Sequence, residues 1–190
     1  MEQQLTKLIK GCFNRDESQQ RLLYNQHKGF ACKVVFRYIY RYEKALDVVT
    51  DGFIKVFNHF EKFKCTDPEN QEKQLMGWIR KIMINCAIDE LRKTDMIIEI
   101  GQIHEEVWNI DSRSDDADQQ LLYKDLVKEI KELPTQYRVI FGLYVLDGYT
   151  HTEIADLMKI SVSTSRSTLT RARAMLREKI IKMESKSCLI

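Results

Sequence analysis

Proline and glycine are scarce in this sequence, at 2 and 7 of 190 residues. An all-β sandwich or barrel needs many tight turns, and the shortage of turn formers argues against both. Long apolar runs are missing too. No stretch of about 18 such residues is available to cross a bilayer, and the opening MEQQLTKLIK lacks the apolar centre of a secretion signal. The five cysteines (Cys12, Cys32, Cys65, Cys86, Cys188) include no CxxC pair, and the four histidines show neither HExxH nor another zinc-ligand spacing. Cys188 stands third from the end, whereas a prenylation box needs its cysteine fourth. These absences lead us to expect a soluble cytoplasmic protein with no membrane insertion, metal, cofactor or disulfide.

What is present is helix-forming and charged. The hydrophobic fraction is 44% and the charged fraction 31%, which suits a globular chain rather than a disordered one. Leu, Ile, Lys, Glu and Arg are abundant, so the expected class is all-α. A length of 190 residues accommodates one ordinary domain or two small ones. The net charge of +2 is unevenly spread: residues 1–94 carry 17 Lys and Arg against 12 Asp and Glu, residues 95–120 one base against eight acids, and residues 150–190 eight bases against four acids. Two basic units flanking an acidic connector suggest a polyanionic partner approached at two places. The connector, MIIEIGQIHEEVWNIDSRSDDADQQ, has no sustained helical period and ends in a polar run, so it reads as an extended, flexible, self-repelling linker.

Three or four long helices are expected in the first unit. One runs from Ser18 to Ile39 on Leu22, Leu23, Phe30, Val34, Val35 and Tyr38. Another runs from Lys44 to Phe63 on Val48, Val49, Phe53, Val56, Phe57 and Phe60, and a further one from about Glu72 to Lys93 on Leu75, Trp78, Ile79, Ile82, Ile88 and Leu91. In the second unit Leu121–Glu132 is helical, Pro134 suits the first turn of the next helix, and Asp147-Gly148 ends it, because glycine takes the left-handed C-terminal position. Thr150-His151-Thr152-Glu153 has capping-box form. A short helix carrying Ile154, Ala155 and Leu157, a tight turn at 158–161 and a longer helix Val162–Ile181 complete the unit.

A short helix, a tight turn and a longer helix have the proportions of a helix-turn-helix. On the longer helix, Val162, Ser165, Leu169, Ala172, Leu176 and Ile180 fall at steps of three or four and form the expected inward stripe. Ser163, Thr164, Arg166, Ser167, Thr168, Thr170, Arg171, Arg173 and Arg177 are left facing outward. Residues 162–182 hold six bases and one acid. Short hydroxyl side chains let a helix approach base edges in the major groove, while flanking arginines reach phosphates. Ser and Thr are also unfavourable inside a helix, so their clustering calls for a reason other than stability.

With these residues in hand, the chain resembles the extracytoplasmic-function sigma factors of the sigma-70 family. LPTQYRVIFGLYVLDGYTHTEIADLMKISVSTSRSTLTRARAMLREKI is similar to their C-terminal promoter-binding domain, ALDVVTDGFIKVF to their helix that grips core RNA polymerase, and GWIRKIMINCAIDELRK to their −10 reader. The resemblance implies two small helical domains: residues 1–94, binding core polymerase and reading and melting the −10 element, and residues 118–190, a helix-turn-helix reading the −35 element. Residues 95–117 form the acidic linker between them. It implies a transcription initiation factor and no enzyme, with core RNA polymerase, promoter DNA and an anti-sigma protein as partners. Asp47, Asp51, Phe53, Lys55 and Phe57 would meet the polymerase, although Phe53 and Phe57 are equally suited to the core. Trp78, Arg80, Lys81, Asn85 and Arg92 would serve the −10 unit, where melting needs cations for the strand and a pocket for an unstacked base. Thr164, Arg166, Ser167, Thr168, Arg171 and Arg173 would lie on the −35 recognition helix.

Three departures accompany the resemblance. Thr50 stands where the family commonly has Gln, fourteen residues (64–77) separate Phe63 from Trp78, and Ser165 and Thr168 replace a common Val and Arg. The competing reading is a dimeric helix-turn-helix regulator acting without polymerase, whose first unit would dimerise or sense. An enzyme using His151 with Glu153, or Cys86 with Asp89, would lack a positioned third group.

Overall fold

A computed structural model of the chain describes residues 2–93 and 127–187. They fall into two compact units, and among the described residues there is no β-strand. The linker 95–117 and the first part of the expected Leu121–Glu132 helix lie outside the described residues. Among the described residues no helix is long and apolar enough to cross a membrane.

The first unit is built from α1 (Glu2–Phe13), α2 (Glu17–Phe36), α3 (Tyr42–Asn58) and α4 (Gln71–Lys93). Asp16 starts α2 by accepting from the Ser18 and Gln19 amides, satisfying two donors that the helix cannot. α2, α3 and α4 pack against one another over Leu23, Val35, Val49, Phe53, Val56, Leu75, Ile79, Met83 and Ile88, all nearly or fully buried. Gly52 leaves room for α4 against α3: a Cβ there would meet the Met83 sulfur at 2.4 Å. α3 is shorter than its apolar period suggests. It ends at Asn58, and Phe60–Lys62 forms a separate 3-10 turn that places Phe60 in the core. Residues 64–77 are only half a loop, because α4 begins at Gln71 and a second 3-10 turn, Pro68–Asn70, is capped by Asp67.

In the second unit residues 127–131 are helical, followed by α5 (Thr135–Phe141), a π turn (Gly142–Leu146), α6 (His151–Met158) and α7 (Val162–Ser187). Ile130, Leu133, Ala172 and Leu176 form a core cluster with Tyr137, Phe141 and Met175 packed around it. The expected punctuation is realised. Gly148 has φ +72°, open to glycine at little cost, and the Thr150 hydroxyl accepts from the Glu153 amide while the Glu153 carboxylate accepts from the Thr150 amide. Lys159 closes α6 in the left-handed conformation, φ +57°, and α7 follows after Ser161. A short helix, tight turn and long helix are thus the helix-turn-helix of the second unit.

Candidate nucleic-acid and polymerase interfaces

On α3, Asp47, Asp51, Ile54 and Asn58 recur at steps of four and three and are all exposed. Ile54 is 52% exposed, an apolar residue framed by two carboxylates on a helix surface. Lys55 flanks this stripe and lies 4.0 Å from Asp89 on α4. The five residues expected to meet the polymerase therefore divide. Asp47, Asp51 and Lys55 share an accessible side, Phe57 is half-buried, and Phe53, 1% exposed, is core. Its ring meets Tyr24 edge-on at 4.9 Å and Phe57 at 5.9 Å.

On α4, Trp78, Ile82, Asn85, Asp89 and Arg92 recur at steps of four and three and form one stripe, with exposed Lys81 beside it. Trp78 is fixed by the Phe60 and Phe63 rings at 5.6 and 5.5 Å. Arg80 does not join this set. Two residues on a helix turn by about 200°, and its guanidinium lies over the Phe30 ring at 5.9 Å on the other side of α4.

Two clefts open along the α3–α4 seam. One, of about 530 Å³, is walled by Asp51, Lys55, Asp89, Glu90, Arg92 and Lys93. Its charges are closely matched: Asp89 pairs with Arg92 and Lys55, while Glu90 pairs with Lys44 at 2.8 Å and Lys93 at 3.4 Å. The hydrogen bond from Lys44 is the main reason the Glu90 carboxyl stays below its usual range. The other cleft, of about 320 Å³, is lined by Lys55, His59, Lys62, Trp78, Ile82, Asn85, Cys86 and Asp89. It combines an aromatic wall, an amide and two lysines, which together suit an unstacked base and its phosphates. His59 and Lys62 were absent from the expected set. Reading helix as far as Phe63 assigns them a different direction from the one the 3-10 turn imposes.

On α7 the inward residues are Ser165, Thr168, Leu169, Ala172 and Leu176. Thr168 corrects the expectation: it is 6% exposed and faces the core. Thr168, Ala172 and Leu176 are spaced by four and form one ridge, so the inward face is broader than the stripe through Ser165 and Leu169. Arg166, Ser167, Thr170, Arg171, Arg173 and Arg177 are exposed, and Thr164 is half-buried. The Thr164 amide donates to the Ser161 hydroxyl at 2.9 Å, which caps the start of α7, while Ser167 and Thr170 donate to the Thr164 and Arg166 carbonyls. Their hydroxyl oxygens remain able to accept. Lys179 is a separate case, held by Glu129 at 2.8 Å and Glu132 at 2.7 Å within the unit. The exposed arginines thus form a cationic strip flanking short polar side chains.

Comparison with known proteins finds two family matches in this order along the chain. Sigma-70 region 2 covers residues 23–96, and Sigma-70, region 4, covers residues 123–176. Similar proteins include the ECF RNA polymerase sigma-E factor of Haemophilus influenzae, 25% identical over 95% of this chain and 98% of its own length. RNA polymerase sigma factor SigV of Bacillus subtilis is 27% identical over 82% of this chain and 87% of its own. ECF RNA polymerase sigma factor SigW of the same organism is 23% identical over 95% and 98%.

Proposed function

The chain belongs to the sigma-70 family, in its extracytoplasmic-function group, and from that membership we propose how its two units divide the work of promoter recognition. It is a transcription initiation factor that binds core RNA polymerase and directs it to promoters. The observation that carries this is the ordered pair of matches, one in each unit. A regulator acting without polymerase accounts for the helix-turn-helix but leaves the first unit's match unexplained.

In our reading residues 1–94 hold the polymerase and the −10 element, residues 95–117 link, and residues 118–190 read the −35 element. Asp47, Asp51 and Lys55, with Ile54 between them, form the polymerase face of α3. Trp78, Lys81, Asn85 and Arg92 take the melted −10 strand along α4, with Lys62 lining the smaller cleft beside Trp78 and Asn85. Arg92 must exchange Asp89 for a phosphate to do so. Arg166, Arg171 and Arg173 hold duplex phosphates while Thr164 and Ser167 face the groove. Thr168 supports the recognition helix from within, and Arg80 lies outside the −10 face. The protein acts in the cytoplasm without catalysing a reaction of its own, and an anti-sigma protein is its further partner; these three statements extend the family membership.

The test is association with bacterial core polymerase followed by run-off transcription. Tight binding and start-site-specific transcripts are expected. Asp47→Arg combined with Asp51→Arg should abolish core binding in a protein that still folds, because it reverses the charge of an exposed stripe. Failure of the unaltered chain to bind core, with tight binding to duplex DNA alone, would favour the regulator.

A further inference from the structure

His151 lies where three elements of the second unit meet. It opens α6, its ring stacks on Tyr144 of the π turn with centroids 4.6 Å apart, and its Nδ1 is 3.0 Å from the Ser165 hydroxyl on α7. Ser165 is fully buried, so the contact reaches the inner face of the recognition helix. The Arg173 guanidinium lies over the same Tyr144 ring at 5.6 Å.

The charged surroundings are lopsided. Arg166 and Arg173 approach from α7, Tyr144 supplies an aromatic face from the π turn, and the N-terminus of α6 adds partial positive charge. Of the two carboxylates on its own helix, Glu153 accepts from the Thr150 amide and hydroxyl at 2.9 and 2.8 Å, and Asp156 is exposed more than a turn further along. Burial of the ring first, and then Arg166 and Arg173, hold the imidazole below the ordinary histidine pKa. The charged form of the ring is therefore disfavoured in the free protein.

A duplex brought to this face reverses the balance. Phosphates on Arg166 and Arg173 offset the repulsion that these arginines exert, and they attract an imidazolium directly. At about 6 Å in a partly solvated site, one phosphate favours the charged ring by on the order of one pKa unit. Protonation also leaves the clamp intact. The Ser165 oxygen can accept from a protonated Nδ1, and the face of Tyr144 attracts a cation. Only the charge changes.

We propose that His151 is a proton-linked contact of the DNA interface: the second unit takes up a proton at His151 when it binds duplex DNA, so its affinity for DNA rises as the pH falls through the histidine range. This rests on α7 being the recognition helix. A group that binds its proton more tightly in the complex than in the free protein strengthens binding at low pH. The gain begins below its pKa in the complex and levels off below its pKa in the free chain.

The test uses the full chain and a labelled random-sequence duplex at low salt. NMR titration of the His151 Cε1 proton, assigned with His151→Gln, should show its pKa rising by about one unit when the duplex is added. Anisotropy titrations between about pH 8 and 5.5 should show wild-type affinity rising roughly three- to tenfold more than that of His151→Gln. The comparison between proteins removes the contribution of other titrating groups. An unchanged or lowered His151 pKa in the complex overturns the proposal, as does the same pH profile in both proteins. Were neither the chain nor its polymerase complex to bind duplex DNA at any pH, the reading of α7 would fall and the proposal with it.

Discussion

Six bases lie between residues 162 and 182, and the structure separates them by what they already hold. Lys179 is engaged by Glu129 and Glu132 within its own unit, while Arg166, Arg171 and Arg173 are exposed along the strip that includes Ser167. Each phosphate neutralised by such a base lowers the slope of log affinity against log salt by about 0.9. From about 50 to 200 mM salt, a fourfold change, one contact costs about 3.5-fold in affinity and three contacts about 40-fold. Arg166→Ala should therefore bind more weakly at low salt and lose only about 12-fold over the same range. Lys179→Ala should keep the wild-type slope. The assay is anisotropy of the full chain on a duplex carrying the −35 sequence obtained by transcript mapping, at four or more salt concentrations. Equal slopes for Arg166→Ala and wild type would remove Arg166 from the phosphate contacts. A slope lowered as much by Lys179→Ala would refute the inference that an internal ion pair withdraws a base from the interface.

Substitutions at three further positions address stability. His27 on α2 is buried, and its Nε2 has no hydrogen-bond partner among the described residues; burial holds its pKa below the ordinary value, with Glu72 opposing. The unfolded chain therefore binds this proton more readily, so the His27 contribution to stability is constant above about pH 6.5 and is lost as the pH drops below it. His27→Leu should flatten that decline in urea melts, and an undiminished pH dependence would reject the assignment. Thr150→Ala removes the hydroxyl of the capping box and should cost about 1 kcal/mol, roughly 4–8 °C in the melting of a unit this small, with Thr150→Ser restoring most of it. Calorimetry showing under about 0.3 kcal/mol would mean that the box contributes little. Thr168→Arg should destabilise the second unit by roughly 3 kcal/mol, because the side chain would enter a 6% exposed site, while Thr168→Val should bind the duplex like wild type. A stable Thr168→Arg protein with tighter DNA binding would return this position to the outer face.

The features legible in the sequence are those where one residue type has one backbone use. Asp147-Gly148 and the Thr150–Glu153 box were placed correctly because a positive φ and an uncapped amide each select few side chains. Apolar periodicity also located α2 and α4 to within about three residues at each end. It misplaced the end of α3, since Phe60 and Phe63 prolong the apolar spacing after the helix has stopped. Both rings reach Trp78 from beyond Asn58, and spacing does not distinguish an α-helix from a 3-10 turn that serves the same core. The site suffered from the same blindness to direction. Arg80 is next but one to Trp78 in sequence and on the other side of α4 in space, whereas Thr168 looked polar and outward yet shares a ridge with Ala172 and Leu176. Nothing local shows that Tyr144, His151 and Ser165 come together. They meet because a π turn adds a residue to the helical repeat before Gly148 and the left-handed Lys159 redirects the chain into α7. Ser165 is one of the departures from the resemblance, and its buried hydroxyl acquires a reason only when the imidazole 14 residues away is found 3.0 Å from it. A departure from a family's usual residue is therefore best interpreted after the fold has shown its partner, because the hydroxyl and the imidazole each look unremarkable alone.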